Sequence, residues 1–214
     1  MSNDDTRDRL NRIKQFIVSE HTAFGKKTHP SRYDKMAETL GGSLVETPAG
    51  VYCLVTRLYP HGDVFGNLTL EPADISTTVP MASFAAEERE GRAALGDLLF
   101  FDLETTGLGG TGAVAFLAGC GSVTPEGFQV RQYILPDYDD ETAVLEHLLE
   151  ELTESRTIVS YNGAAFDLNL IRDRMIINRV AREVPHAGHI DLLHSARRLF
   201  KRRLGDCTLT NIER

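Results

Sequence analysis

The chain has 214 residues, of which 42% are hydrophobic and 25% are charged, and its formal net charge is −8. This composition excludes a disordered chain and allows one full α/β domain with a smaller appendage. The first residues are charged and no apolar run is long enough for a membrane helix, so we expect neither a secretory signal nor a membrane span. The three cysteines are isolated and form no paired motif, which predicts a reducing, cytoplasmic location.

The charges are distributed unevenly along the chain. Residues 1–96 carry 11 basic and 13 acidic side chains, residues 97–154 carry 1 and 12, and residues 155–214 carry 11 and 6. An acidic stretch that holds divalent cations, beside a basic stretch that meets phosphates, would produce this asymmetry. Two helices with differently charged solvated faces would produce it as well, so charge alone leaves both interpretations open.

The N-terminal part, residues 1–92, is predicted to form a small α+β region made of a helix and a β-hairpin. Residues 5–24 place apolar side chains at helical spacing. Two β-like runs, SLVET and VYCLVTRLY, then flank the turn Pro48-Ala49-Gly50. Nothing in this region points to a particular chemistry, and its function is left open.

From residue 93 to residue 214 the pattern predicts one α/β domain. LLFFDLE is a nearly continuous apolar run, as in a strand buried on both faces, and AVAFLAGCGSV and FQVRQYIL follow as two further strands. DDETAVLEHLLEELTES is predicted to be a helix, TIVSY a strand and AAFDLNLIRDRMIINRV a second helix. A short strand or extended segment at HI precedes the helix DLLHSARRLF, with Asp191 as its N-cap. This order predicts a mixed β-sheet flanked by helices, in which a three-strand meander leads into crossover units.

Asp102 and Glu104 stand two residues apart at the end of the first strand of this domain. Because side chains alternate along a strand, both carboxylates point to the same side. Acids in so apolar a run are costly to bury unless a cation or hydrogen bonds compensate them, and Mg²⁺ prefers carboxylate oxygens. Two ions about 3.5–4 Å apart could clamp the attacking and leaving oxygens of a phosphodiester. A cap next to a surface acid is the alternative for this pair taken alone.

The second acidic element is YNGAAFDL, where a buried strand turns into a helix. Ligands of open α/β sheets bind at such turns. Asp167 falls in the first turn of the helix, where the positive end of the helix dipole favours a carboxylate even without a metal. Its combination with Asp102 and Glu104 favours a metal site.

Two further motifs are weaker. Gly107, Gly109 and Gly112 match the G-x-G-x-x-G dinucleotide fingerprint, but carboxylates directly before it would repel a pyrophosphate, and we reject that interpretation. A basic cluster in the last predicted helix could contact a nucleic-acid backbone, or it could simply place cations near the C-terminus of that helix. Its members are Arg197, Arg198, Lys201, Arg202 and Arg203.

FFDLETTGL followed by YNGAAFDLNLI resembles the first two motifs of the DEDD family of 3′–5′ exonucleases, which have a ribonuclease-H-like fold. LETTGLGGTGAVAFLAGCG and HIDLLHSARRLFKRRLGDCTLTNIE more closely resemble the YprB-like branch of that superfamily. The likeness covers roughly residues 97–214. It implies a hydrolase, a magnesium- or manganese-dependent nuclease that trims single-stranded ends of DNA or RNA by a two-metal mechanism with water as the nucleophile.

The resemblance also implies roles for individual residues. Asp102, Glu104 and Asp167 match three of the family's four catalytic, metal-binding carboxylates. Apart from the resemblance, Thr105, Thr106, Asn162 and Phe166 are candidate substrate contacts. Asn162 and Phe166, together with Tyr161, could line a nucleotide pocket, although Phe166 could instead belong to the core. The fourth acid and a His or Tyr base belong to a later helix that is not found before Arg214, so we expect a domain truncated at its C-terminus that cleaves little by itself. The alternative is a non-catalytic nucleic-acid-binding or interaction module with the same fold.

Overall fold

The computed structural model describes residues 30–81, 91–107, 112–153, 156–181 and 183–212. The helix predicted at residues 5–24 lies outside these described residues. The helices are α1 (Pro30–Leu40), α2 (Glu141–Glu151), α3 (Asp167–Ile177), α4 (Leu192–Leu204) and α5 (Leu209–Ile212), with 3₁₀ turns at Leu95–Asp97 and Tyr138–Asp140. Among the helices in these ranges, none is long and apolar enough to span a membrane.

The strands follow the predicted order and add short N-terminal pairs. They are β1 (Ser43–Thr47), β2 (Gly50–Pro60), β3 (Val64–Phe65), β4 (Leu68–Thr69), β5 (Thr78–Pro80), β6 (Arg92–Ala94), β7 (Leu98–Thr105), β8 (Ala115–Thr124), β9 (Gly127–Ile134), β10 (Thr157–Ser160) and β11 (Gly188–Asp191). Seven of these strands form one sheet in the order β1-β2-β9-β8-β7-β10-β11. Strands β7, β10 and β11 are parallel to one another, and the other neighbours in this sheet are antiparallel. The predicted mixed α/β sheet, with a meander that leads into crossover units, is confirmed.

The N-terminal hairpin continues the main sheet. Strand β1 pairs with β2, as predicted, and β2 pairs with β9 along eight residues, from Cys53 opposite Ile134 to Pro60 opposite Gly127. Asp140, directly before α2, accepts hydrogen bonds from the backbone N of Val51 at 2.9 Å and from the hydroxyl of Tyr33 at 2.8 Å. The region before residue 92 thus shares its sheet with the strands that follow, and the predicted domain boundary there remains a prediction.

Strand β7 is buried on both faces, as its apolar run predicts. Leu99, Phe101 and Leu103 pack into the core that contains the buried faces of α2 and α3. Leu98 and Phe100 pack on the other face, against residues of β10, β11 and β6. Burying a side chain of this size stabilises the fold by roughly 1.5–3 kcal/mol, so the two layers hold β7 firmly at the centre of the sheet.

A buried ion pair connects α2 to α3 and so fixes the helix that begins at Asp167. Glu141 Oε1 accepts from Arg174 Nε at 2.7 Å, and Glu141 Oε2 accepts from Asn178 Nδ2 at 2.8 Å and from a second guanidinium nitrogen of Arg174. The hydrogen bond and the charge of Glu141 raise the pKa of Arg174 above its ordinary value, against the effect of burial. Because a buried charge is costly to leave unpaired, this contact specifies how the two helices pack.

Candidate active site

Asp102 and Glu104 lie on β7 at the end of the sheet where the parallel strands finish. The last residues at which β10 and β7 pair are Val159 and Phe100, so Asp102 stands beyond the point where β10 stops pairing. Leu103, between the two acids, is buried in the core, whereas Asp102 is exposed and Glu104 is half-buried. Since side chains alternate along the strand, both carboxylates lie on the side opposite Leu103.

Asp167 is the first residue of α3, which begins after the loop that leaves β10. Its position at the helix N-terminus suits a carboxylate, because the backbone N–H groups of the first turn point towards it. Within the loop, Asn162 adopts a φ of 67°, in the left-handed region. A Cβ at Gly163 would lie 2.5 Å from Ser160 Oγ and 3.0 Å from Asp167 Oδ2, so only glycine fits here without displacing its neighbours.

The three carboxylates lie within electrostatic reach of one another. Burial raises the pKa of Asp167 to about 7, with further contributions from the charges of Asp102, Asp191 and Glu104. The pKa of Asp102 is also raised, first by desolvation and then by Glu104. Asp102 has much accessible surface, yet the protein around its carboxylate removes enough water to disfavour the charged form. The edge of the sheet therefore concentrates negative charge that an opposite charge would relieve.

Asp191, at the end of β11, holds the loop that leads to Asp167. Its carboxylate is buried and accepts hydrogen bonds from the backbone N of Asn162 at 2.7 Å, of Leu193 at 3.0 Å and of Ala164 at 3.1 Å. The bond from Leu193 caps α4, as predicted for this residue, and the other two satisfy loop amides. Asp191 thus fixes the backbone of the loop that leads to Asp167, and its charge contributes to the raised pKa of Asp167.

A second buried contact supports the same loop. Ser160 Oγ accepts from the backbone N of Gly163 at 3.2 Å and lies 2.8 Å from His189 Nε2. Neither Ser160 nor His189 was identified from the sequence as part of the site. Their signal is their position, because both stand on the parallel strands that end at the loop, but pairing between β10 and β11 is needed to see that they meet.

The candidate substrate contacts lie around this edge of the sheet, and two of them form hydrogen bonds within the turn after β7. Thr105 Oγ1 donates to the carbonyl O of Gly107 at 2.7 Å, and Thr106 Oγ1 accepts from the backbone N of Val114 at 3.2 Å. Both threonines therefore shape the turn after β7. The Asn162 side chain lines a cavity, and Phe166, directly before α3, has 56% of its surface exposed.

The basic cluster on α4 is divided by the structure. Arg197 and Lys201 line the same cavity as Asn162, one helical turn apart. The other three members are also exposed on the surface of α4 but do not line this cavity: Arg198, Arg202 and Arg203. The cluster therefore consists of two groups, one that lines the cavity and one that does not, and a contact with nucleic acid is predicted for each group separately.

The donor set suits a hard divalent cation, since its oxygen atoms come from carboxylates. Burial, and then the charges of the neighbouring carboxylates, raise the pKa of Asp167. Among the residues that the structure describes, no three His, Cys, Asp or Glu side chains are grouped closely enough to hold a metal ion. Asp102, Glu104 and Asp167 are thus neighbouring carboxylates within electrostatic reach, and their joint coordination of Mg²⁺ or Mn²⁺ remains a prediction.

Comparison with known proteins identifies the family of the C-terminal part of the chain. Residues 99–214, somewhat more than half of the chain, match the model of the RNase_H superfamily. The chain is also 40% identical over 121 residues to a Bacillus subtilis (strain 168) protein named "Uncharacterized protein YprB". That match covers 55% of this chain and 29% of the relative's length.

Proposed function

We propose, because the chain belongs to the RNase_H superfamily, that it carries the metal-binding core of a divalent-cation-dependent nuclease. The proposal is supported by the burial of Asp167 and by the charges of Asp102, Asp191 and Glu104, which together raise the pKa of Asp167 to about 7. A cation there would relieve the repulsion and would favour an anionic phosphodiester nearby. Since the match spans 29% of the Bacillus subtilis relative, the activity of any longer protein is also part of the proposal.

In this proposal Asp102, Glu104 and Asp167 are both the catalytic residues and the metal ligands. Mg²⁺ or Mn²⁺, two ions in a complete domain, would supply Lewis-acid stabilisation of the charge on phosphodiester oxygens and would make water a better nucleophile. Asp102 and Asp167 would bind the cation, and Glu104 would bind it and help orient the attacking water. Asp191 keeps Asp167 in place by fixing the loop before α3.

The proposed substrate is nucleic acid, and the proposed reaction is 3′–5′ exonuclease cleavage at single-stranded ends of DNA or RNA. Thr105, Thr106, Asn162 and Phe166 contact the nucleotide at the end of the strand. Of the basic cluster of α4, Arg197 and Lys201 contact the phosphate backbone, which contributes affinity without sequence preference. The three free, buried cysteines support a reducing, cytoplasmic location.

The experiment that tests the proposal is a cleavage assay on 5′-labelled single strands of DNA and RNA, with Mg²⁺, with Mn²⁺ and with EDTA. We expect metal-dependent shortening from the 3′ end, weak for this chain, that Asp102→Asn and Asp167→Asn abolish. Asp173→Asn is the matched control, because Asp173 is an exposed acid on the same helix α3 and lies outside the site. Shortening that persists in EDTA, or that the three variants reduce equally, would contradict the proposal.

The second candidate is a nucleic-acid-binding module without catalysis. It is favoured by the position of Arg197 and Lys201 in one cavity, since these cations would bind phosphate whether or not a metal is present. Single-strand binding without cleavage under every metal condition would support this candidate instead.

A further inference from the structure

A cavity of about 470 Å³ lies between α4 and the segment that follows it, next to the loop that leads to Asp167. Tyr161 and Asn162 line it from the loop, and Arg197 and Lys201 line it from α4. Ligand cavities in proteins usually have volumes of about 300–1,000 Å³, so this one is large enough for a single nucleotide. Its cations belong to the basic cluster of α4, and nothing in the sequence separates them from the other members of that cluster.

The cavity has a fixed wall. The hydroxyl of Tyr161 donates to the backbone O of Cys207 at 2.6 Å, which fastens the segment after α4 to the loop after β10. Cys207 is itself buried, and its Sγ lies 3.7 Å from the backbone O of Ala196 in α4. The cavity is therefore held by three parts of the chain and does not depend on the position of one flexible side chain.

The charges in the cavity suit a phosphate on one side. Arg197 and Lys201 are four residues apart on α4, so they lie on the same face of the helix, and both are exposed to an incoming ligand. Asp206 adds one carboxylate to the lining, but it accepts from the backbone N of Thr208 at 3.1 Å and from Asn211 Nδ2 at 3.4 Å. The Asp206 carboxylate thus lies partly towards α5, and the wall of the cavity formed by α4 carries the positive charges of Arg197 and Lys201.

The cavity is also adjacent to the acidic edge. Asn162 lines the cavity, and its backbone N is held by Asp191, which also binds the backbone N of Ala164 nearer to Asp167. One loop thus carries both the cavity wall and the carboxylate at the start of α3.

We propose that this cavity binds one nucleotide of a single-stranded nucleic acid, with its phosphate held by Arg197 and Lys201. The proposal rests on the proposed function in one respect, that the ligand is nucleic acid. It depends on neither the metal nor cleavage. It also assigns Arg202 and Arg203 no specific phosphate contact, although they belong to the same basic cluster.

The test is the binding of a fluorescein-labelled single-stranded oligothymidylate, measured by fluorescence anisotropy in EDTA over a series of sodium chloride concentrations. The cavity variant combines Arg197→Gln with Lys201→Gln. The control combines Arg202→Gln with Arg203→Gln, which removes the same charge from the same helix outside the cavity. All four side chains are exposed, so both variants should fold, and thermal melting checks this.

We expect the cavity variant to bind about tenfold or more weakly than the parent, because two charged contacts to phosphate are lost. The slope of log affinity against log salt should fall by about 0.7 for each lost contact to a single strand. The control variant should lose less than about twofold in affinity, because its two charges act on the nucleic acid only at long range, where salt screens them. An equal loss in both variants, an unchanged cavity variant or a parent that does not bind would overturn the proposal.

Competition with polyglutamate separates nucleotide binding from general attraction to anions. Oligothymidylate should displace the labelled strand at a much lower concentration than polyglutamate of the same charge, and equal displacement would overturn the assignment to a nucleotide. The outcome is independent of the nuclease proposal. If the protein cleaves with metal but the cavity variant binds as well as the parent, only the proposal of a nucleotide-binding cavity is overturned. If binding depends on the cavity but no cleavage occurs, only the nuclease proposal is overturned.

Discussion

Asp191 and Asn162, 29 residues apart in sequence, are joined by a hydrogen bond of 2.7 Å from the backbone N of Asn162 to the Asp191 carboxylate. The same carboxylate binds the backbone N of Ala164 and of Leu193. One buried side chain therefore ties the end of β11 and the start of α4 to the loop that ends at Asp167. The stability of the fold and the position of a predicted metal ligand depend on the same residue.

Replacing Asp191 by Ala should destabilise the protein by about 3–5 kcal/mol, since a helix cap is lost and buried N–H groups lose their acceptor. Asp191→Asn should cost less, because its amide keeps one oxygen as an acceptor. Urea unfolding measures both changes. Asp206→Ala is the control, since Asp206 binds the backbone N of Thr208 at an exposed position and its loss should cost about 1 kcal/mol or less. Equal losses for the two alanine variants would contradict the role of Asp191.

Gly163→Ala should destabilise the fold by about 1–3 kcal/mol, because the added Cβ would meet Ser160 Oγ at 2.5 Å and Asp167 Oδ2 at 3.0 Å. Thermal unfolding measures the loss. Gly119→Ala serves as the comparison, since a Cβ there would meet only the backbone O of Asp102, at an ordinary 3.7 Å. If Gly163→Ala cost no more than Gly119→Ala, the close approach at the loop would not be a constraint.

Asp167→Asn should stabilise the metal-free protein at pH 8. The folded-state pKa of about 7 exceeds the ordinary value of 3.8, so the folded state binds the proton more tightly and its stability falls as pH rises from about 4 to about 7. Partial solvent access reduces the effect to about 1–3 kcal/mol at pH 8, and the amide variant removes it. Melting in EDTA at pH 5 and pH 8 measures the difference. Asp173→Asn, on the exposed face of the same helix, should leave the pH dependence unchanged.

Millimolar Mn²⁺ or Mg²⁺ should raise the melting temperature of the parent chain, since a cation relieves the repulsion among the carboxylates. At about ten times Kd the gain is about 1.4 kcal/mol, or about 3–6 °C for a chain of this size. Asp102→Asn should lose most of that increment, as seen by thermal melting with and without the ion. An increment of the same size in parent and variant would indicate non-specific ion binding.

Much of the fold could be predicted from the sequence, because the alternation of buried and exposed side chains in a helix or strand involves residues that are close in sequence. The apolar run from Leu98 to Phe101 indicates a strand buried on both faces, and the acids before Val144 and Leu148 indicate the start of a helix with one apolar face. The resemblance of two short motifs to an exonuclease family also indicated the superfamily that the family comparison confirms. These signals depend only on residues a few positions apart.

Contacts between distant residues could not be predicted in this way. The pairing of β2 with β9, the bonds of Asp191 to the loop before Asp167, and the place of Arg197 in a cavity while Arg202 lies outside it depend on how elements pack. Sequence spacing sets the side of a strand or the face of a helix on which a side chain lies. Which other element meets that side is decided by the packing of the whole sheet, because burial is shared among residues far apart in the chain.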